Sequence, residues 1–306
     1  MRARAEAARD SALRAYLAES REMGLSLLLV LPLLASTLSS GPAWVFMWAM
    51  AFAIFAGCKW LTWWEARGKL RRVSAARSAA YLLAWPGMDP TPFFNEPKEP
   101  ARIRKEEWWA AFLKFLFGVF VFWGLARRVP PDEPLLRGWI GLIGIIFMLH
   151  FGVFHLAALF FQSKGVAVRC LMRNPIAATS LTEFWGKRWN LAFHDLATNF
   201  VFRPLLPLLG VAGASLATFL VSGLVHELAI SLPACGGFGL PTAYFLIQGL
   251  GLLLERSPLG ERLGLRAGAR GWLFTMLLTA GPAFWLFHPP FVHRVIVPFM
   301  EAMGAL

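Results

Sequence analysis

The stretch SLTEFWGKRWNLAFHDLATNFVFRPL, residues 180–205, leads into the apolar run that carries ASLATFLVSGLVHELAIS, residues 214–231. Ser180 followed by Glu183 has capping-box spacing, so a helix is expected to start there. Along it Glu183, Lys187, Asn190 and His194 recur at steps of four, three and four, a polar stripe flanked by Phe184, Trp185, Trp189, Phe193 and Phe200. This reads as an amphipathic helix at a membrane face. The second stretch belongs to a span over 208–232, long enough to cross a bilayer, which takes about 20 residues. Thr218, Ser222 and His226 lie four apart on it and share a face. His226 stands seven residues before Pro233, about 10 Å below that end, and is expected to be buried. Ionisable groups at such depth are costly and mark functional sites. Glu227 points about 100° away, toward another partner or a proton. The plainer alternative has His226 bonding a neighbouring helix and Glu227 pairing a cation near the surface.

The composition agrees with a membrane protein. Of 306 residues 57% are hydrophobic and only 16% charged, whereas a soluble surface uses about a quarter charged residues. The net charge of +12 raises nucleic acid as a partner, but the basic residues sit between apolar runs, so topology explains them and no nucleic acid is expected. Apolar spans fall near 24–39, 43–58, 109–126, 138–161, 208–232, 238–254, 271–287 and 291–305. The leader and every second loop carry 5, 10, 6 and 4 Lys and Arg; the alternate loops carry 0, 3, 0 and 0. Cytoplasmic loops hold the excess, so both termini are expected in the cytoplasm. The fold expected is an all-α integral membrane protein of about eight transmembrane helices, with interfacial and re-entrant helices around a buried tunnel. Residues 1–22 read as a cytoplasmic interfacial helix, and 23–306 as one multi-span domain.

Other features stay open at this level. KWLTWWEARGKLRR, residues 59–72, reads as an interfacial helix with Trp60, Trp63 and Trp64 on one side. The piece from Tyr81 to Trp85 is too short to span and, with PGMDPTPFFNEP after it, is either re-entrant and protein-covered or a solvated connector. His150 and His155, five residues apart, lie roughly 140° apart on a helix, which favours separate hydrogen bonds over a shared metal; no metal is expected. Cys58, Cys170 and Cys235 have no metal-like spacing. Gln248 either faces the tunnel or ties helices together. His288 and His293 flank a Pro-Pro pair, where capping or packing is expected.

FWGKRWNLAFHDLATNFVFRPL followed by FLVSGLVHELAISLP resembles the membrane-bound O-acyltransferases, and within them the wax synthase branch. The pattern FW-x-x-WN-x-x-x-H, then a span with HE, also resembles the sterol and diacylglycerol acyltransferases. The clearest resemblance covers Ser180 to Glu255, with weaker similarity at WPGMDPTPFF, HFGVFHLAALFF and FHPPFV. It places the family's histidine on His226 and its asparagine on Asn190. It implies acyl-CoA as co-substrate, no permanently bound cofactor, and a hydroxyl acceptor: a long-chain alcohol first, then diacylglycerol, a sterol or a secondary-metabolite hydroxyl. The chemistry fits the residues independently, since a thioester is already activated and needs a base and an oxyanion donor. His194, Glu227, Trp189, Lys187, Arg188, Ser222 and Gln248 are expected to bind or orient substrate. Membrane lipids are partners, a homodimer is compatible with the exposed spans, and a bacterial inner membrane is the expected location. The competing class is a proton-coupled transporter or lipid flippase relaying protons through His150, His155, His226 and Glu227; it expects internal repeats, and none is visible.

Overall fold

The computed structural model describes residues 26–67, 74–95 and 99–306, so the leader helix expected over 1–22 lies outside the described residues. Regular structure among them is helical throughout. In chain order we name α1 (Ser26–Ser36), α2 (Ala43–Arg67), α3 (Lys105–Arg128), α4 (Pro134–Ser163), α5 (181–188), α6 (Leu191–Ala234), α7 (Leu240–Arg256), α8 (Gly268–Thr279) and α9 (289–302). Four of these, α2, α3, α4 and α6, are long and apolar enough to cross a membrane. The other four expected spans fall on the shorter α1, α7, α8 and α9. The chain is an all-α integral membrane protein. Leu113, Phe117 and Phe120 on α3, and Leu208, Val211, Leu220 and Leu224 on α6, are exposed. Lipid suits such faces, because helices satisfy their own backbone groups and present only apolar side chains.

Two features of α6 differ from the sequence reading. The expected continuous helix from Ser180 through His194 is broken: α5 ends at Arg188, Trp189 is extended, and Asn190 adopts the left-handed conformation with φ 42° and ψ 59° before α6 begins. The stripe of Glu183, Lys187, Asn190 and His194 is therefore split between two helices. The second feature is a fold at Gly210, φ 63° and ψ −177°, a region open essentially to glycine alone. A straight helix would set Leu191 and Val225 about 50 Å apart, yet both belong to one packed cluster. The α6 run therefore doubles back at Gly210, and Leu208, Leu209 and Val211 at the turn are exposed.

The core has two centres. One gathers Tyr81, Trp85, Met88, Phe93, Phe161, Leu191 and Ala192; the other joins Phe122, Leu142 and Ile230 to Phe291, Val292, Ile296 and Met300 of α9. One face of the 81–93 segment is thus packed on protein, with Tyr81, Trp85, Met88 and Phe93 all buried, while Leu83 is 87% exposed. Residues 59–67 are the end of α2 and not a separate helix lying in the headgroups; Trp60, Trp63 and Trp64 do meet, with ring centroids 4.9 and 5.3 Å from Trp60. Lys59, counted with the loop cations above, is buried. Along the other seam, a Cβ on Gly223 would lie 2.7 Å from Thr242 Cα, so α6 and α7 touch backbone to backbone there.

Candidate active site

The expected cap on α5 is present. Ser180 Oγ accepts the Glu183 backbone N–H at 3.0 Å, and Glu183 Oε2 reaches back to the Thr179 N–H at 2.8 Å. Glu255, from the far end of α7, adds a second carboxylate: it accepts from the Leu181 and Thr182 N–H groups and from Thr182 Oγ1. Two anions at one helix N-terminus match the partial positive charge there. Arg188 at the other end bonds Glu183 Oε1 at 2.8 Å and the carbonyls of Arg173 and Asn174 at 3.1 Å. Its guanidinium is thereby committed to the protein, while Lys187 beside it is exposed.

These contacts place Trp189 and Asn190. The Arg173 N–H donates to the Arg188 carbonyl at 2.8 Å and the Leu191 N–H to the Leu171 carbonyl at 3.0 Å, clamping the turn from both sides. Asn190 uses its backbone N–H on Met172 Sδ at 3.1 Å and its carbonyl on the His194 N–H at 3.1 Å. Its side-chain amide has no hydrogen-bond partner among the described residues. Trp189 is stacked between Phe184, at 5.7 Å and 12°, and His150 of α4, at 6.1 Å and 16°. His150 is a member of this site that the spacing argument, aimed at metals, did not reveal.

On α6 the Thr218, Ser222, His226 face is as expected, but its hydroxyls turn back on their own helix. Thr218 Oγ1 donates to the Ala214 carbonyl at 2.7 Å and Ser222 Oγ to that of Thr218 at 2.9 Å. Ser222 acts on the histidine through its carbonyl, 2.7 Å from His226 Nδ1. A carbonyl only accepts, so Nδ1 holds the proton and Nε2 the lone pair. Glu227 turns away to α7, where its Oε1 accepts from the N–H groups of Gly239 and Thr242 at 3.0 Å and from Thr242 Oγ1 at 2.9 Å. It caps that helix and, among the described residues, pairs no cation.

The structure joins the two halves through rings. From Trp189 the chain of contacts runs to Phe184, to Trp185 at 5.1 Å, to Phe245 at 5.8 Å, and to the His226 ring at 4.4 Å. Beside it Val225 packs into the cluster that holds Leu191 and Ala192. Asn190 and His226 make no direct hydrogen bond with each other. Gln248, buried on α7, donates to the Leu278 carbonyl at 2.5 Å and accepts from Trp185 Nε1 at 3.4 Å; it ties three segments. His194 stands elsewhere, on a polar recess of about 510 Å³ lined by Trp85, Asp89 and Thr91 on one side and Arg169, Asp195 and Arg203 on the other. Arg169 pairs with Asp195, and Arg203 bonds Asn199 at 2.8 Å.

Residues 168–247, which hold the turn at Asn190, the fold at Gly210 and His226, match the membrane bound O-acyl transferase family. A long-chain-alcohol O-fatty-acyltransferase of Simmondsia chinensis is 32% identical over 134 residues, 39% of this chain and 37% of that protein. Probable long-chain-alcohol O-fatty-acyltransferase 2 of Arabidopsis thaliana is 34% identical over 157 residues, 46% of this chain and 45% of its own. Acyl-CoA–sterol O-acyltransferase 1 of the same plant is 36% identical over 105 residues, 32% and 30% of the two chains. The chain covers less than half the length of each of these relatives.

Proposed function

We propose that this chain, whose residues 168–247 match the membrane bound O-acyl transferase family, transfers a fatty acyl group from acyl-CoA to the hydroxyl of a lipid alcohol, a long-chain alcohol first among them. The observation that carries this reading is the bond from His226 Nδ1 to the Ser222 carbonyl, which presents Nε2 as a base. In the reaction Nε2 takes the proton of the alcohol as its oxygen attacks the thioester carbonyl carbon. The Asn190 amide donates to the carbonyl oxygen as it gains charge, adding no ion to an apolar site. The carbonyl re-forms, the carbon–sulfur bond breaks, and the imidazolium returns the proton to the departing thiolate. Ester and free CoA are the products. His150 and Phe184 hold Trp189, and through it the backbone turn that aims Asn190.

CoA is polyanionic and is drawn to positive charge. We assign its polar end to the recess of Arg169, His194 and Arg203, with exposed Lys187 on the approach. The acyl chain and the alcohol reach His226 from the apolar side. The location proposed with this is a bacterial inner membrane with both termini cytoplasmic; the Lys and Arg count by loop supports the orientation. A sterol is the second acceptor, on the strength of the sterol-directed relative.

The test is acyl transfer by the protein in nanodiscs, with labelled acyl-CoA and a panel of long-chain alcohols, sterols and diacylglycerol. Ester formation that is lost in His226→Ala and Asn190→Ala, both folded by size-exclusion profile, supports the reading, and the panel names the acceptor. Consumption of no acyl-CoA with any acceptor overturns it, and ion-coupled lipid movement without ester would place the chain among transporters.

A further inference from the structure

Lys59 is the one buried lysine among the described residues, 1% exposed on α2. Its Nζ donates to the Gly87 carbonyl at 2.7 Å and lies 3.1 Å from the centroid of the Tyr81 ring. Tyr81 is in turn fixed through its hydroxyl, 2.7 Å from Thr62 Oγ1, one turn along α2 from Lys59. Among the described residues no carboxylate pairs with Lys59. Burying a polar amino group is costly unless it finds partners; a carbonyl and a ring face supply them here.

What Lys59 holds is backbone with few other hydrogen bonds. Pro86 and Pro90 keep residues 86–90 out of regular helix and sheet, and Pro92 sits in the first turn of the short helix Thr91–Phe94. Over residues 86–89 the bond from Lys59 to Gly87 is the only one that the described residues make to the backbone. Gly87, Met88, Asp89, Thr91 and Pro92 form one wall of the polar recess, facing Arg169, His194 and Arg203 on the other. Phe93 is buried beneath that wall, and Asp89 Oδ1 caps the Thr91 N–H at 2.9 Å. The Lys59 amino group thus ties this wall of the recess to a membrane helix.

We propose that Lys59 is a positioning residue for the acyl donor: it pins the Gly87 carbonyl and so holds the 86–92 wall at the distance from the arginine wall that the donor's polar end requires. This rests on the reading of the recess as the seat of that polar end. The expected result for Lys59→Met is an acyl-CoA KM raised about tenfold, with kcat and the alcohol KM changed less than about threefold, and recovery of most of the donor KM in Lys59→Arg. A merely structural lysine would lower kcat and the amount of folded protein together. Hydrogen exchange on the wild type tests the same point without a substitution: CoA should slow exchange at 87–91 as well as at 194–203. Protection of 194–203 alone, or a donor KM unmoved by Lys59→Met while Arg203→Ala raises it, overturns the role of Lys59 and leaves the recess. Protection of neither wall, with a donor KM unmoved by Arg203→Ala, overturns the recess and the inference with it.

Discussion

Two histidines stand near the same end of the molecule, and their backbones give them opposite tautomers. His226 Nδ1 faces a carbonyl, that of Ser222 at 2.7 Å, so it donates and Nε2 is left basic. His288 Nδ1 faces an N–H, that of Phe291 at 3.2 Å, so it accepts, and Nε2 carries the proton toward Ser231 Oγ, 3.2 Å away. The Ser231–His288 pair has the look of a nucleophile with its base, and both are fully buried. The proton sits on the wrong nitrogen for that role: the imidazole donates to the hydroxyl and cannot withdraw its hydrogen. Residue type proposes a base, and the backbone group on the other nitrogen decides whether it is one. His288, with Arg294 closing the C-terminus of α6 through the Ala234 and Cys235 carbonyls at 3.0 and 3.1 Å, is part of the packing around that helix end.

The widest separation should come from removing each ring. His226→Ala is expected to lower ester formation by about 10³-fold, the middle of the range for general bases, with the thermal midpoint nearly unchanged. His288→Ala should do the reverse, holding turnover within about threefold while losing roughly 1–3 kcal/mol of stability as buried groups lose their partners. Turnover and melting curves on the two purified variants check this, and equal loss of turnover in both would break the contrast.

Next in size is Asn190, where side chain and backbone are separable. Asn190→Gly keeps the left-handed turn and loses the amide; Asn190→Ala loses the amide and strains the turn by about 1 kcal/mol. Both should lose about 10²-fold or more in kcat, and only the alanine variant should melt earlier. Retained activity in the glycine variant would confine Asn190 to shaping the chain. The smallest effect concerns Glu183. The Thr179 N–H, opposed by partial burial and joined by Arg188, holds its carboxyl below the ordinary range. Because the folded value is the lower one, its contribution to stability is full above the ordinary carboxylate range and is lost as pH falls through the folded value. Melting of wild type and Glu183→Gln across that range should converge at the acid end, and parallel curves would show that the carboxylate contributes nothing.

Much of this was legible before any coordinates. The Ser180 cap follows from local spacing, as hydrogen bonds between residues three apart depend on little else. The polar face of Thr218, Ser222 and His226 follows from helical periodicity, and the membrane class from composition. The resemblance picked out His226 and Asn190, and both fall inside the segment that matches the family. Where reading failed, a residue had two acceptable local states. Asn190 is tolerated in a helix and in a left-handed turn, and it is the clamp by Leu171 and Arg173 that selects the turn.

By itself, then, the sequence determined what repeats along the chain: which runs are apolar, which faces are polar, where a helix is capped. Only tertiary structure decided what depends on partners far apart in sequence. The run over 208–232 reads as one unbroken span; Gly210 within it is the point where α6 doubles back. A lysine near a helix end reads as a headgroup anchor; Lys59 is buried against Tyr81 and Gly87. A glutamate one residue past a buried histidine reads as needing another partner or a proton; the N-terminus of α7, which Glu227 caps, is that partner. In each case the local energies of the alternatives lie within a few kcal/mol, and contacts from distant segments, which no local pattern contains, supply the difference.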